Sequence, residues 1–135
     1  MYSEALAHII YAAADFVIVP SLFEPCGLTQ LIAMRYGALP IVRRTGGLGD
    51  TVSDINAAAA LGDHRSGSAL TSPSGNGFVF DGADEGSCSG ALERALRMYR
   101  ERRDVWDTVS VRNMDLDYSW AQPAATYLDM YRKIA

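Results

Sequence analysis

Apolar positions fall into two periods along the chain. Phe16-Val17-Ile18-Val19 is an unbroken β-branched and aromatic run ended by Pro20, the pattern of a strand covered on both faces in a parallel sheet. After Gly27 the period lengthens: Leu28, Leu31, Ile32 and Met34 follow helical spacing, which Gly37 and Pro40 stop. Residues 39–42 return to a strand pattern, and residues 77–80 make a third short strand closed by Asp81-Gly82. Strand, helix and strand in that order predict a βαβ unit with parallel strands.

Helical patterns flank this unit. Residues 3–14 place Leu6, Ile9, Ile10 and Ala13 on one face, with Ser3 or Glu4 favouring the first turn. A second helix starts at Glu85 or Ser89 and runs to Arg103, with Leu92, Ala95, Leu96 and Tyr99 inward and a charged outer face. Asp104 is placed to cap a third, through Met114, that buries Val105, Trp106, Val109 and Met114. Asp117 or Ser119 then caps a last helix to residue 134, burying Trp120, Tyr127, Leu128 and Tyr131. Asp50 can cap a short helix over residues 50–56. Residues 57–77 turn to alanine, glycine, serine and proline and read as a surface loop.

A length of 135 residues suits one domain. The net charge of −4 and the single lysine beside eleven arginines form no basic stripe, which argues against a nucleic-acid partner. Cys26 and Cys88 cannot build a disulfide framework, and a reducing compartment is the simpler expectation. No apolar run approaches the roughly 20 residues of a membrane span, and no signal-peptide pattern opens the chain.

The chemistry is expected where the first strand runs into a loop and a helix start, residues 15–29. In open α/β sheets ligands bind at the carboxyl ends of strands, and the free N–H groups of a following helix suit a phosphate. Gly27 permits close approach there, Glu24 adds a carboxylate, and Thr29 is either a phosphate ligand or a cap. Thr45-Gly46-Gly47-Leu48 follows the second strand at the same edge and reads as a second, nest-like wall. Arg43 and Arg44 either face an anion or are ordinary surface arginines. Cys26 lacks a nearby histidine to activate it as a nucleophile, and His8 has no companion at metal-ligand spacing, so neither a metal nor a cofactor is expected. The Gly-x-Gly-x-x-Gly fingerprint of nicotinamide and flavin sites is absent after the first strand.

The run Phe23-Glu24-Pro25-Cys26-Gly27-Leu28-Thr29-Gln30-Leu31, with Met34-Arg35-Tyr36-Gly37 and Arg44-Thr45-Gly46-Gly47-Leu48, resembles bacterial glycogen synthases and plant or algal starch synthases. Tyr2 and residues 4–8, Asp50-Thr51-Val52, Asp117, Ser119-Trp120 and Tyr127 extend the resemblance nearly end to end. It implies a Rossmann-like sheet forming the later part of the C-terminal domain of a GT-B glycosyltransferase, and hence a fragment, residues 1–135, whose last helix, 119–134, braces a missing N-terminal Rossmann-like domain.

The implied parent is a retaining glucosyltransferase that moves glucose from ADP-glucose to the non-reducing end of an α-1,4-glucan, cytoplasmic if bacterial and in the plastid stroma if plant or algal. Glu24 would be catalytic, contacting the donor glucose. Cys26, Gly27, Leu28, Thr29, Thr45, Gly46 and Gly47 would bind the donor, and Tyr2 would either stack on its adenine or staple the first helix. Related retaining transferases carry a second glutamate eight residues after the first, where this chain has Ile32. A lysine-glycine-glycine loop, a histidine, and an arginine and lysine that the family uses lie outside this chain, so the isolated piece is expected to be inactive. The alternatives are a transferase using UDP-glucose and a non-catalytic module that binds nucleotide or glucan.

Overall fold

A computed structural model describes residues 3–55 and 74–134; Tyr2, Asn56 and most of the expected surface loop lie outside them. In chain order the elements are α1 (Glu4–Ala13), β1 (Phe16–Val19), α2 (Thr29–Arg35), β2 (Leu39–Arg43), α3 (Gly46–Thr51), β3 (Phe78–Phe80), α4 (Glu85–Glu101), α5 (Arg103–Met114) and α6 (Ala121–Ile134). The strands form one parallel sheet in the order β1-β2-β3, with Phe16 beside Leu39 and Ile41 beside Phe78. The α/β class with parallel strands and flanking helices is therefore as expected.

Strand side chains alternate between two cores, as the two-residue period of a strand requires. On one face Phe16, Leu39, Ile41, Phe78 and Phe80 pack with Ala91, Ala95 and Met98 of α4 and Val105, Trp106 and Val109 of α5. Trp106 meets Phe16 edge-on, with ring centroids 4.3 Å apart. On the other face Val17, Val19, Val42 and Val79 pack with Leu48 of α3 and Val52 just after it.

β2 is the buried centre, whereas β1 is an edge strand with only Val19 buried and Ile18 exposed. The expectation that both faces of β1 are covered is thus corrected in part: Phe16 on one face and Val17 and Val19 on the other pack into the two cores, but Ile18, on the Phe16 face, is left exposed.

The helix starts follow local chemistry with some displacement. Ser3 caps α1 by accepting the Leu6 N–H, and Asp84 caps α4 by accepting the Ser87 N–H at 2.9 Å. Asp104 is not the cap of α5; Arg102 stands there, and Asp104 sits in the first turn and pairs with it. Asp50 likewise lies inside α3, which starts four residues earlier at Gly46. The deepest residues of α4 are Ala91, Ala95 and Met98, with Leu92, Leu96 and Tyr99 half-buried.

Two further burial expectations are corrected. No residue of α1 or α6 is buried: Leu6, Ile9 and Ile10, and at the other end Trp120, Tyr127, Leu128 and Tyr131, are exposed. Their apolar stripes exist, but no element among the described residues covers them. α1 is held instead through its polar and aromatic side, where Tyr11 stacks on Tyr36 and His8 hydrogen-bonds the Tyr36 hydroxyl. Among the described residues no helix is long and apolar enough to cross a membrane.

Candidate functional site

The carboxyl ends of β1 and β2 present two loops that touch. β1 ends at Val19, and the chain crosses the sheet edge through Ser21, Leu22, Phe23 and Glu24 before α2 begins at Thr29. β2 ends at Arg43, and α3 begins almost at once. The Gly47 N–H donates to the carbonyls of Glu24 at 3.0 Å and Pro25 at 3.2 Å, so the loops are joined backbone to backbone. Nothing larger than glycine fits this contact. A Cβ on Gly47 would lie 1.8 Å from the Cys26 carbonyl oxygen, and one on Gly46 2.2 Å from that of Glu24.

This geometry changes the reading of the second wall. The Thr45-Gly46-Gly47 segment is not a free turn: Thr45 is the N-cap of α3, without a side-chain cap bond, and Gly46 and Gly47 are its first helical residues. Sequence spacing places glycines at the right edge but cannot say that they face another loop.

On the first wall, Leu28 occupies the N-cap position of α2 and makes no side-chain cap bond. Thr29 is the first helical residue, so its cap role is excluded. First-turn N–H groups of a helix have no partner within it, and at α2 they stand at the carboxyl edge of the sheet. Gly27 takes a left-handed φ of 69° that a side chain would strain. Cys26, Leu28 and Phe23 are exposed, and Glu24 is half-buried with Ser21 donating to its Oε2 at 3.3 Å. Glu24, Cys26, Gly27, Leu28, Thr29, Thr45, Gly46 and Gly47 are thus brought together, while Tyr2 lies outside the described residues.

The two arginines at the end of β2 are structural ties. Arg43 donates to the Leu22 carbonyl at 3.0 Å, and Arg44 pairs with Asp81 at 2.8 Å beyond β3. Each holds a neighbouring strand end to the central one.

Sequence reasoning missed the residues beneath the loops. Gln30 is fully buried; its Nε2 donates to the Gly27 carbonyl and to Thr51 Oγ1, both at 2.9 Å. Thr51 in turn donates to the Gly47 carbonyl at 2.6 Å. The signal was present, because Gln30 shares the inward spacing of Ala33 and Met34, the other buried positions of α2. The expected inward residues Leu28 and Ile32 are exposed instead.

Comparison with known proteins gives a consistent picture. No protein-family model matches the chain. Soluble starch synthase 3, chloroplastic/amyloplastic, of Solanum tuberosum is 50% identical over 133 residues, covering 96% of this chain and 10% of that protein. A glycogen synthase of Protochlamydia amoebophila is 44% identical over 134 residues, covering 99% of this chain and 25% of its own length. Among solved structures, the catalytic domain of starch synthase IV from Arabidopsis thaliana bound to ADP and acarbose matches at TM-score 0.80 and 45% identity, over 98% of this chain and 25% of that one. A sucrose-phosphate synthase from Thermosynechococcus elongatus matches at TM-score 0.60 and 25% identity, over 93% of this chain and 27% of that one. The resemblance to glycogen and starch synthases holds along nearly the whole chain, and the chain spans 10–25% of the length of these two synthases.

Proposed function

We propose, from this likeness to glycogen and starch synthases, that the chain is the later part of the C-terminal donor-binding domain of a retaining glucosyltransferase. The parent would move glucose from ADP-glucose to the non-reducing end of an α-1,4-glucan. The observation that carries the reading is 44–50% identity to glycogen and starch synthases over nearly the entire chain. The ADP in the solved Arabidopsis domain supports an adenine-nucleotide donor, since ADP is the product that ADP-glucose leaves. The site lies in the cytoplasm of a bacterial parent or the plastid stroma of a plant or algal one.

The chemistry follows from the joined loops. Transfer from a nucleotide sugar needs charge stabilised on a departing diphosphate and on an oxocarbenium-like sugar, which positioning and preorganised dipoles supply. The N–H groups of Leu28 and Thr29 at the start of α2 face the diphosphate, and Gly27, whose left-handed φ turns the chain into the helix and whose missing Cβ leaves room for Gln30, sets their position. Glu24, steadied by Ser21, orients glucose hydroxyls and favours positive charge at the anomeric carbon. Thr45 and Gly46 close the other side, Gly47 braces them against the first loop, Cys26 lines the donor, and Tyr2 stacks on the adenine. The N-terminal Rossmann-like domain and the earlier part of the C-terminal domain of the parent supply the remaining groups, so the isolated chain does not catalyse transfer.

The test is transfer of labelled glucose into glycogen by the full-length parent, with ADP-glucose and UDP-glucose compared. Faster transfer from ADP-glucose is expected. A preference for UDP-glucose would replace the donor assignment, and no transfer from either would leave a nucleotide- or glucan-binding module in its place.

A further inference from the structure

Beneath the site, Gln30 joins the two loops through hydrogen bonds whose directions the acceptors settle. The carbonyls of Gly27 and Gly47 can only accept, so the single Thr51 hydroxyl proton goes to Gly47 and a Thr51 lone pair receives Gln30 Nε2–H. Both Nε2 protons are then used, and the amide cannot be turned over without setting its oxygen against the Gly27 carbonyl. Gln30 Oε1 is left buried with no partner among the described residues.

Filling this space does not require an amide. Methionine has a similar shape and would remove the unpaired Oε1, at the cost of leaving the Gly27 carbonyl without the Gln30 donor. What the amide adds is a fixed spacing between Gly27, at the end of the first loop beside α2, and Gly47, at the head of α3. Gly47 is gripped at both ends of its own residue: its N–H by Glu24 and Pro25, its carbonyl by Thr51.

We propose that Gln30 and Thr51 are positioning residues for glucosyl transfer. Their relay from the Gly27 carbonyl to the Gly47 carbonyl holds the loop carrying Glu24 in register with the start of α3, and so sets the Glu24 carboxylate and the α2 N–H groups against the donor. The inference rests on the glucosyltransferase reading and assigns the buried residues that make that site rigid.

The experiment uses the full-length parent carrying Gln30→Met, Thr51→Val, both together, and Thr51→Ser, with kcat, KM for ADP-glucose and Tm measured for each. Because a misplacement of about 1 Å can cost roughly a hundredfold, each single variant is expected to lose on the order of tenfold to a hundredfold in kcat with KM little changed. The double variant is expected to be no worse than the poorer single one, as for residues acting as a unit. Thr51→Ser, which keeps the hydroxyl, is expected to recover most of the rate.

Folded variants with near-parental kcat would overturn the proposal, as would losses that multiply in the double variant, or Thr51→Ser as slow as Thr51→Val. If Gln30→Met does not fold, the Thr51 pair decides, since valine and serine bracket the hydroxyl at a half-buried position. A parent that transfers no glucose before any substitution overturns the glucosyltransferase reading and this inference with it, a result distinct from a fast parent with fast variants.

Discussion

At the scale of single residues, the site is governed by what has no side chain. Gly47 admits the Cys26 carbonyl into space that any Cβ would occupy, at 1.8 Å, and no rotamer relieves a clash between backbone and Cβ. Gly47→Ala in the parent is therefore expected to part the loops, lowering kcat by roughly a hundredfold and also lowering Tm. Parental kinetics in that variant would show that the contact is dispensable. Glu24, Gly27 and Gly47 were legible in the sequence as residues gathered at a strand-to-helix edge, where the structure places them. Gln30 was not, because the apolar residues around it in α2 directed attention to Leu28 and Ile32, which face solvent. A polar residue at the inward spacing of Ala33 and Met34 was the available clue.

At the scale of elements, the periods of two and 3.6 residues located strands and helices well, and most departures fall at helix starts. Residue type alone makes Asp50 and Asp104 candidate caps, yet each lies inside its helix, because the tight turns after β2 and α4 start the helices earlier. Asp84 does cap α4. The Ser87 hydroxyl, and then the Ser87 N–H, hold its carboxyl below the usual 3.8. A carboxyl lowered on folding contributes stability that is present above its unfolded value and lost as pH falls through its folded one. Asp84→Ala is thus expected to lower Tm near neutral pH, and the gap from the parent sequence should close as pH drops below 3.8. Thermal melts across that range check it, and a gap independent of pH would mean that the charged cap contributes nothing.

At the scale of the whole molecule, a sheet packed by α2, α3, α4 and α5 carries two helices, α1 and α6, that bury no residue against the other described elements. Burial on α1 was expected from its stripe, but a stripe shows only which side is apolar and not what meets it. Ile9 and Ile10 are 65% and 58% exposed, and Tyr131 on α6 is 59% exposed. On the proposed reading the rest of the parent covers these faces. Replacing Ile9 and Ile10 by serine should accordingly leave the Tm of the isolated chain nearly unchanged, as for exposed positions, and lower that of the parent by several degrees. Equal effects in both proteins would contradict that arrangement.

The central claim is that the joined loops are a donor half-site with Glu24 at its reacting end, and the kcat of Glu24→Ala in the full-length parent tests it most directly. Because the carboxylate is half-buried and held by Ser21 alone among the described side chains, its removal should leave Tm nearly unchanged. The account predicts that transfer of labelled glucose from ADP-glucose falls by about a hundredfold or more, the scale of losing one preorganised electrostatic group. A folded Glu24→Ala parent that transfers glucose within a few-fold of the original rate would contradict it.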